Sequence, residues 1–150
     1  MIKQETLQQQ ATELKLHGLL AHWHELSEDA YVWLQQLIDW ERNERQQRSL
    51  ERRLTNAKLG RFKSLNEFDW QWPDKIDQGA VQALMSLDFI KEKSNVILMG
   101  SNGVGKSTIA QNLGNQAVMA GHTVLFTTAS NMLNDLAAQD GDNALRLSLI

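Results

Sequence analysis

Apolar residues recur at helical spacing through the first third of the chain. Leu7, Ala11 and Leu14 stand at i, i+4 and i+7, and Leu16, Leu20, Trp23 and Leu26 continue the stripe. The pattern predicts an amphipathic helix over 3–26, with Gly18 as its point of break or kink. Ser27 is a good N-cap, and Glu28 and Asp29 follow where a helix dipole favours acids. A second helix is therefore expected from there to about Ala57, with Gly60 as its stop. At 1.5 Å per residue it would run for ~45 Å. Trp33, Leu37 and Trp40 form its first apolar stripe, Leu50 and Leu54 a later one, and Glu41 to Ser49 between them is wholly polar.

The second half has a different rhythm. Residues 61–78 read as a linker in which Trp70 and Trp72, two apart, share a face if extended. Packing onto the next domain is the favoured role for that pair, and covering a nucleotide base the alternative. Residues 77–92 look helical, with Val81, Leu84, Met85 and Phe89 on one face. Asn95 to Met99 is a short apolar run suited to a buried strand. A helix is then expected to reach Ala120 before Gly121, followed by a second strand over His122 to Thr128 and a third helix capped near Ser130 with Met132, Leu133 and Leu136 apolar. Asp140 to Asn143 reads as a turn and Ala144 to Ile150 as a final helical stretch. The expected organisation is a helical domain over 1–60, a linker over 61–78 and a partial nucleotide-binding domain over 79–150.

Composition narrows the class. Hydrophobic residues make up 42% and charged residues 22%, as in a soluble globular protein. No apolar run approaches the ~20 residues of a membrane span, and the N-terminus lacks a signal pattern. The chain has no cysteine, so disulfides and thiolate metal sites are excluded. These features favour the cytoplasm and no membrane partner. His22 and His24 are two apart and point to different helix faces, which argues against a metal site.

The net charge of −3 is unevenly spread. Residues 42–63 hold eight Lys and Arg against two Glu, a local +6. On a helix, Arg45, Arg48 and Arg52 fall within ~60° of one another. With Arg53 they form a candidate DNA-contacting set. The alternative is a solvated helix laced by Glu41–Arg45 and Glu44–Arg48 pairs.

Between the apolar run and the third-quarter helix lies Gly100-Ser101-Asn102-Gly103-Val104-Gly105-Lys106-Ser107, with Thr108 next. It matches G-x-x-x-x-G-K-[ST], the phosphate-binding loop. The residue types suit the chemistry. Glycine lets backbone approach a polyphosphate closely, and loop N–H groups and the helix N-terminus aim at the anion. Lys106 is expected to reach the β- and γ-phosphates of ATP, and the Ser107 hydroxyl to ligate Mg²⁺.

Other parts of such an enzyme are missing from the pattern. Hydrolysis needs a carboxylate at the end of an apolar strand. The acids after Ser107 are Asp135, Asp140 and Asp142, and none follows such a strand. Arg146 is a poor candidate for the transition-state arginine. Two strands make a poor sheet. The expectation is a C-terminally truncated form, which alone binds nucleotide weakly at best and does not turn it over; the alternative is a degenerate copy that binds without hydrolysing.

The order of features resembles the IstB-like family, AAA+ ATPases encoded beside transposases and related to DnaC helicase loaders. The resemblance rests on Leu14-Lys15-Leu16-His17-Gly18-Leu19, on Trp40-Glu41-Arg42-Asn43-Glu44-Arg45 with Arg52-Arg53-Leu54, and on Leu65-Asn66-Glu67-Phe68-Asp69-Trp70. Phe89-Ile90, Asn95-Val96, the phosphate loop, Gly121 and Phe126-Thr127-Thr128-Ala129 follow in the family's order. It implies an α/β fold: an all-helical N-terminal region, then the start of a P-loop AAA+ core holding only its first two parallel strands and their helices. It also implies an ATPase in the intact protein, ATP and Mg²⁺ as cofactors, assembly on DNA with a transposase, and homo-oligomers in which one subunit's Arg completes its neighbour's site. A helicase-loader role in replication, or a binding module without ATPase activity, stands as the alternative. Ser101 and Asn102 replace the family's usual prolines, and Ser107-Thr108 its Thr-His, while the Gly, Lys and hydroxyl positions are kept.

Overall fold

The computed structural model describes residues 4–71 and 76–138. Trp72, Pro73 and the turn and helix expected after residue 139 lie outside the described residues. The chain divides into two compact units that meet between Glu51 and Arg52.

The first unit is helical. Helix α1 spans Gln4–Glu13 and α2 spans His17–Ala21, with a 3₁₀ turn at Trp23–Glu25. The expected single helix over 3–26 is thus broken, but at Lys15 and not at Gly18. Lys15 adopts φ 55°, its N–H donates to the Thr12 carbonyl at 2.9 Å, and Leu16 N–H donates to the Ala11 carbonyl at 3.0 Å. That pair of bonds closes a helix end whose next residue is left-handed. A lysine there costs roughly 1 kcal/mol, which the two bonds and the packing of Leu16 on the core offset. Gly18 sits inside α2 with open space where a side chain would project.

Helix α3 runs Glu28–Ala57, close to the expected span. The Ala30 N–H donates to the carbonyl of Ser27 at 3.0 Å, so Ser27 stands at the helix entry. The buried stripe differs from the expected one. Leu34 and Ile38, i and i+4, pack against Leu7, Ala11 and Leu14, whereas Trp33 and Trp40 stay 61% and 60% exposed and Leu37 lies at the edge. Both stripes are apolar, and periodicity alone could not rank them. The smaller aliphatic pair fits the narrow gap against α1. At the far end Lys58 turns left-handed at φ 51°, one residue after the helix and two before Gly60.

In the second unit the expected helix over 77–92 is two short ones, α4 at Gln78–Leu84 and α5 at Asp88–Lys91. Asp77 caps α4, its carboxylate accepting from Ala80 N–H at 3.0 Å. Leu87 interrupts them with φ 60°, a conformation that turns its side chain into the interior, where it is buried. Helix α6, Lys106–Met119, ends as expected before Gly121. Helix α7 spans Ala129–Ala138. Its cap is Thr128, not Ser130: the Thr128 hydroxyl oxygen accepts from Asn131 N–H at 3.1 Å. The expected apolar positions Met132 and Leu133 are exposed.

No strand is present among the described residues, so the two expected parallel strands are not formed there. Residues 94–100 and 122–128 carry no regular secondary structure. They do show the two-residue alternation of strands. Val96 and Leu98 turn inward beside exposed Ile97 and Met99, and Val124 and Phe126 turn inward beside exposed Leu125. A ladder needs a neighbour for each strand's N–H and C=O groups. The described segments exchange no backbone bonds with one another, and Phe126 N–H donates instead to the Ala57 carbonyl at 2.8 Å.

Candidate phosphate-binding site

The loop over 100–107 closes around its own lysine. The Lys106 ammonium donates to the carbonyls of Gly100 at 2.9 Å and Ser101 at 2.5 Å. It therefore bridges the two ends of the loop and holds a positive charge inside the turn. Val104 is buried and anchors the loop's middle, while Ser101, Asn102, Gly103 and Ser107 face outward. Gly103 and Gly105 have φ 83° and 91°, backbone conformations that a side chain rarely adopts.

Helix α6 begins at Lys106 directly after this bend. Its first-turn N–H groups lack intrahelical acceptors, and its dipole places partial positive charge at the same spot. Its fourteen residues give a full dipole. Loop, helix end and lysine together form a cluster of donors suited to a polyphosphate. The Ser107 hydroxyl is exposed beside it and free to ligate a divalent cation carried by the phosphates. Thr108 is half-buried, and its carbonyl is taken by Asn112 at 2.8 Å. The donor set fits a Mg²⁺-bound nucleotide on the phosphate side.

Sequence reasoning missed what backs the loop. Asn112, buried in the middle of α6, donates to the carbonyls of Lys63 and Thr108, each at 2.8 Å, and accepts from Leu65 N–H at 3.3 Å. Gln111 donates to the Leu59 carbonyl at 2.6 Å. The start of the segment expected to be a linker is therefore fastened along α6. Phe68, next on that segment, lays its ring against Gly105, and Trp70 packs on Phe68 with ring centroids 4.8 Å apart. Both aromatics join the core around Val81, Ile109 and Leu113. The sequence suggested such packing for Trp70, but as a pair with Trp72, which lies outside the described residues; a polar residue inside a helix gives no local signal of its partner.

The remaining candidates lie elsewhere. Arg45 and Arg48 are on α3, paired to Glu41 at 2.5 Å and Glu44 at 2.6 Å, and both stay exposed, as does Arg52. Arg45 also donates to the Leu14 carbonyl at 2.8 Å. Arg53 is placed differently, half-buried, with its Nε directed to the Val118 carbonyl at 3.4 Å. Asp135 lines an open cleft with Lys58, Thr127, Thr128 and Asn131, and no residue of the phosphate loop lines it. Asp140, Asp142 and Arg146 lie outside the described residues. His22 pairs with Glu25 at 2.8 Å at the surface.

A phosphate loop of this form, opening a helix and following an apolar run, defines a P-loop nucleotide-binding protein of the α/β class. Comparison with known families sharpens the class. Residues 9–149 match the model of the IstB-like ATP-binding proteins, and the chain belongs to that family. It is 36% identical over 145 residues to an insertion-sequence IS21 protein of Pseudomonas aeruginosa assigned an ATP-binding role, covering 92% of this chain and 55% of that one. A counterpart from insertion sequence IS1162 of Pseudomonas fluorescens is 31% identical over 159 residues, covering 99% of this chain and 68% of that one. A third, from IS5376 of Geobacillus stearothermophilus, is 29% identical over 129 residues, with coverage of 86% and 51%. The chain spans about half the length of the first and third of these relatives. No helix among the described residues is long and apolar enough to cross a membrane.

Proposed function

We propose that this chain binds ATP with Mg²⁺ through residues 100–108 and serves as the nucleotide-dependent helper of a DNA transposase. The observation that carries the reading is the phosphate loop, shaped around Lys106 and opening α6, in a chain of a family named for ATP binding. Lys106 would hold the β- and γ-phosphates and Ser107 the Mg²⁺. Bound ATP would supply binding energy for assembly, with copies of the chain side by side and an Arg of one completing the site of the next. Asn95–Met99 and His122–Thr128 would be the parallel strands of the α/β core, a reading supported by the alternating burial of Val96 and Leu98 and of Val124 and Phe126.

The exposed Arg45, Arg48 and Arg52 supply the DNA contact. The i,i+4 pairs of Arg45 and Arg48 are surface pairs worth only a few tenths of a kcal/mol each, so phosphates compete easily with Glu41 and Glu44 for them. A second reading has the helical unit grip a protein, such as a replicative helicase, and is favoured by the exposed Trp33 and Trp40 on α3.

Fluorescence anisotropy of labelled duplex DNA decides between them, read across a salt series with and without Mg-ATP. Charge-driven binding falls steeply with salt, and the triple variant Arg45→Ala/Arg48→Ala/Arg52→Ala should lower the log–log slope by about three. Lys106→Ala should remove the ATP effect and leave the slope unchanged. No binding at about 50 mM salt, or an unchanged slope in the triple variant, would overturn the DNA reading and leave the protein-gripping one.

A further inference from the structure

We propose that Phe68 is a positioning residue of the phosphate loop and that Asn112 fixes the segment that carries it. This rests on the nucleotide-binding reading above. Gly105 is the hinge between the loop and α6: it has φ 91° and immediately precedes Lys106 and Ser107. A glycine has no side chain to hold it in one backbone conformation. The Phe68 ring supplies the missing restraint. Its Cε2 and Cζ atoms lie 2.5 Å from where a Gly105 Cβ would be, so the ring fills that space and buttresses the bend.

The ring is itself held in place. Phe68 N–H donates to the Leu65 carbonyl at 3.3 Å, closing a 3₁₀ turn that Ser64 caps. Asn112 grips that turn from α6, through Leu65 N–H and the Lys63 carbonyl, and grips its own helix through the Thr108 carbonyl. A buried amide is costly unless bonded. An apolar side chain would fill the space as well but make none of these bonds, whereas the amide donates two and accepts one. The arrangement links phosphate loop, α6 and the segment after Arg61 through the ring and the amide. Moving the ring releases Gly105, and with it the aim of Lys106 and of the loop N–H groups.

Two other roles for Phe68 predict different chemistry. A ring that stacked on the base would matter for ATP and not for bare phosphate chains. A ring that only filled the core would matter for folding and not for ligand. A positioning ring matters for every ligand that uses the loop, base or no base.

The test uses the 150-residue chain and a fluorescent ATP analogue, competed separately by Mg-ATP and by inorganic tripolyphosphate, with melting curves recorded for each variant. Phe68→Ala should weaken ATP and tripolyphosphate by the same factor, about tenfold, the size of one lost charge-assisted hydrogen bond. Asn112→Ala should weaken both in parallel by a smaller factor, although the ring is intact. Phe68→Leu serves if Phe68→Ala does not fold, with the same parallel loss expected. A drop for ATP with unchanged tripolyphosphate overturns the proposal in favour of base stacking. A lower melting temperature with both affinities unchanged overturns it in favour of packing. Lys106→Ala separates the layers: if it binds as well as the unaltered chain, the nucleotide reading itself fails, whatever Phe68 does.

Discussion

Helix α6 and the apolar run 95–99 flank the same phosphate loop, yet they are supported very differently. On the helix side Ile109 and Leu113 are buried, and Asn112 and Gln111 tie α6 to residues 59–65. On the other side Ile97 and Met99 are 79% and 87% exposed, and the run makes no ladder among the described residues. A helix satisfies its backbone within itself and needs a cover for one face only. A strand needs neighbours for both its backbone edges and its faces. The loop's form is thus set from its helix side, where the contacts are local or reach back to the preceding linker.

That asymmetry can be broken from either flank. The largest effect is expected at the hinge. Gly105→Ala forces a side chain into a left-handed conformation and into the Phe68 ring at once. It should cost about 2–4 kcal/mol of stability by denaturant unfolding and abolish nucleotide binding in the surviving fold. If Gly105→Ala melts like the unaltered chain, the ring is not a buttress.

A smaller pair of changes sharpens the contrast between flanks. Leu113→Ala on the α6 side should cost about 2–4 kcal/mol, as buried leucines do. Ile97→Ala on the other side should stay within ~0.5 kcal/mol, as exposed positions do. Equal costs at the two sites would mean that the 95–99 run is covered in solution and that the difference in support is not real.

Legibility in the sequence followed the same divide. The phosphate loop was readable because chemistry requires particular residues at four positions of fixed spacing. Helix α3 was readable because Ser27, Glu28 and Asp29 open an apolar helical stripe and Gly60 stops it, and α6 because the phosphate loop opens it and Gly121 follows it. Helix ends at Lys15 and Lys93 were not, because there the left-handed residue is a lysine instead of the usual glycine, held by bonds to carbonyls three and five residues earlier. Choosing Leu34 and Ile38 over Trp33 and Trp40 for the core needed the shape of α1. The clamp at Asn112 was invisible, since its partners are 47 and 49 residues away in the chain. The apolar run at 95–99 and the strand-like stretch at 122–128 were legible as strand character, but such a run supplies no neighbour to pair with.

The central claim is that residues 100–108 hold a nucleotide by its phosphates, with Lys106 as the pivotal charge. Isothermal titration of Mg-ATP into the 150-residue chain, beside the Lys106→Ala variant with its melting curve, tests it most directly. The account predicts saturable one-site binding by the unaltered chain and a loss of at least about a hundredfold in a folded Lys106→Ala. Equal affinities for the two proteins, or no binding to either, would contradict it.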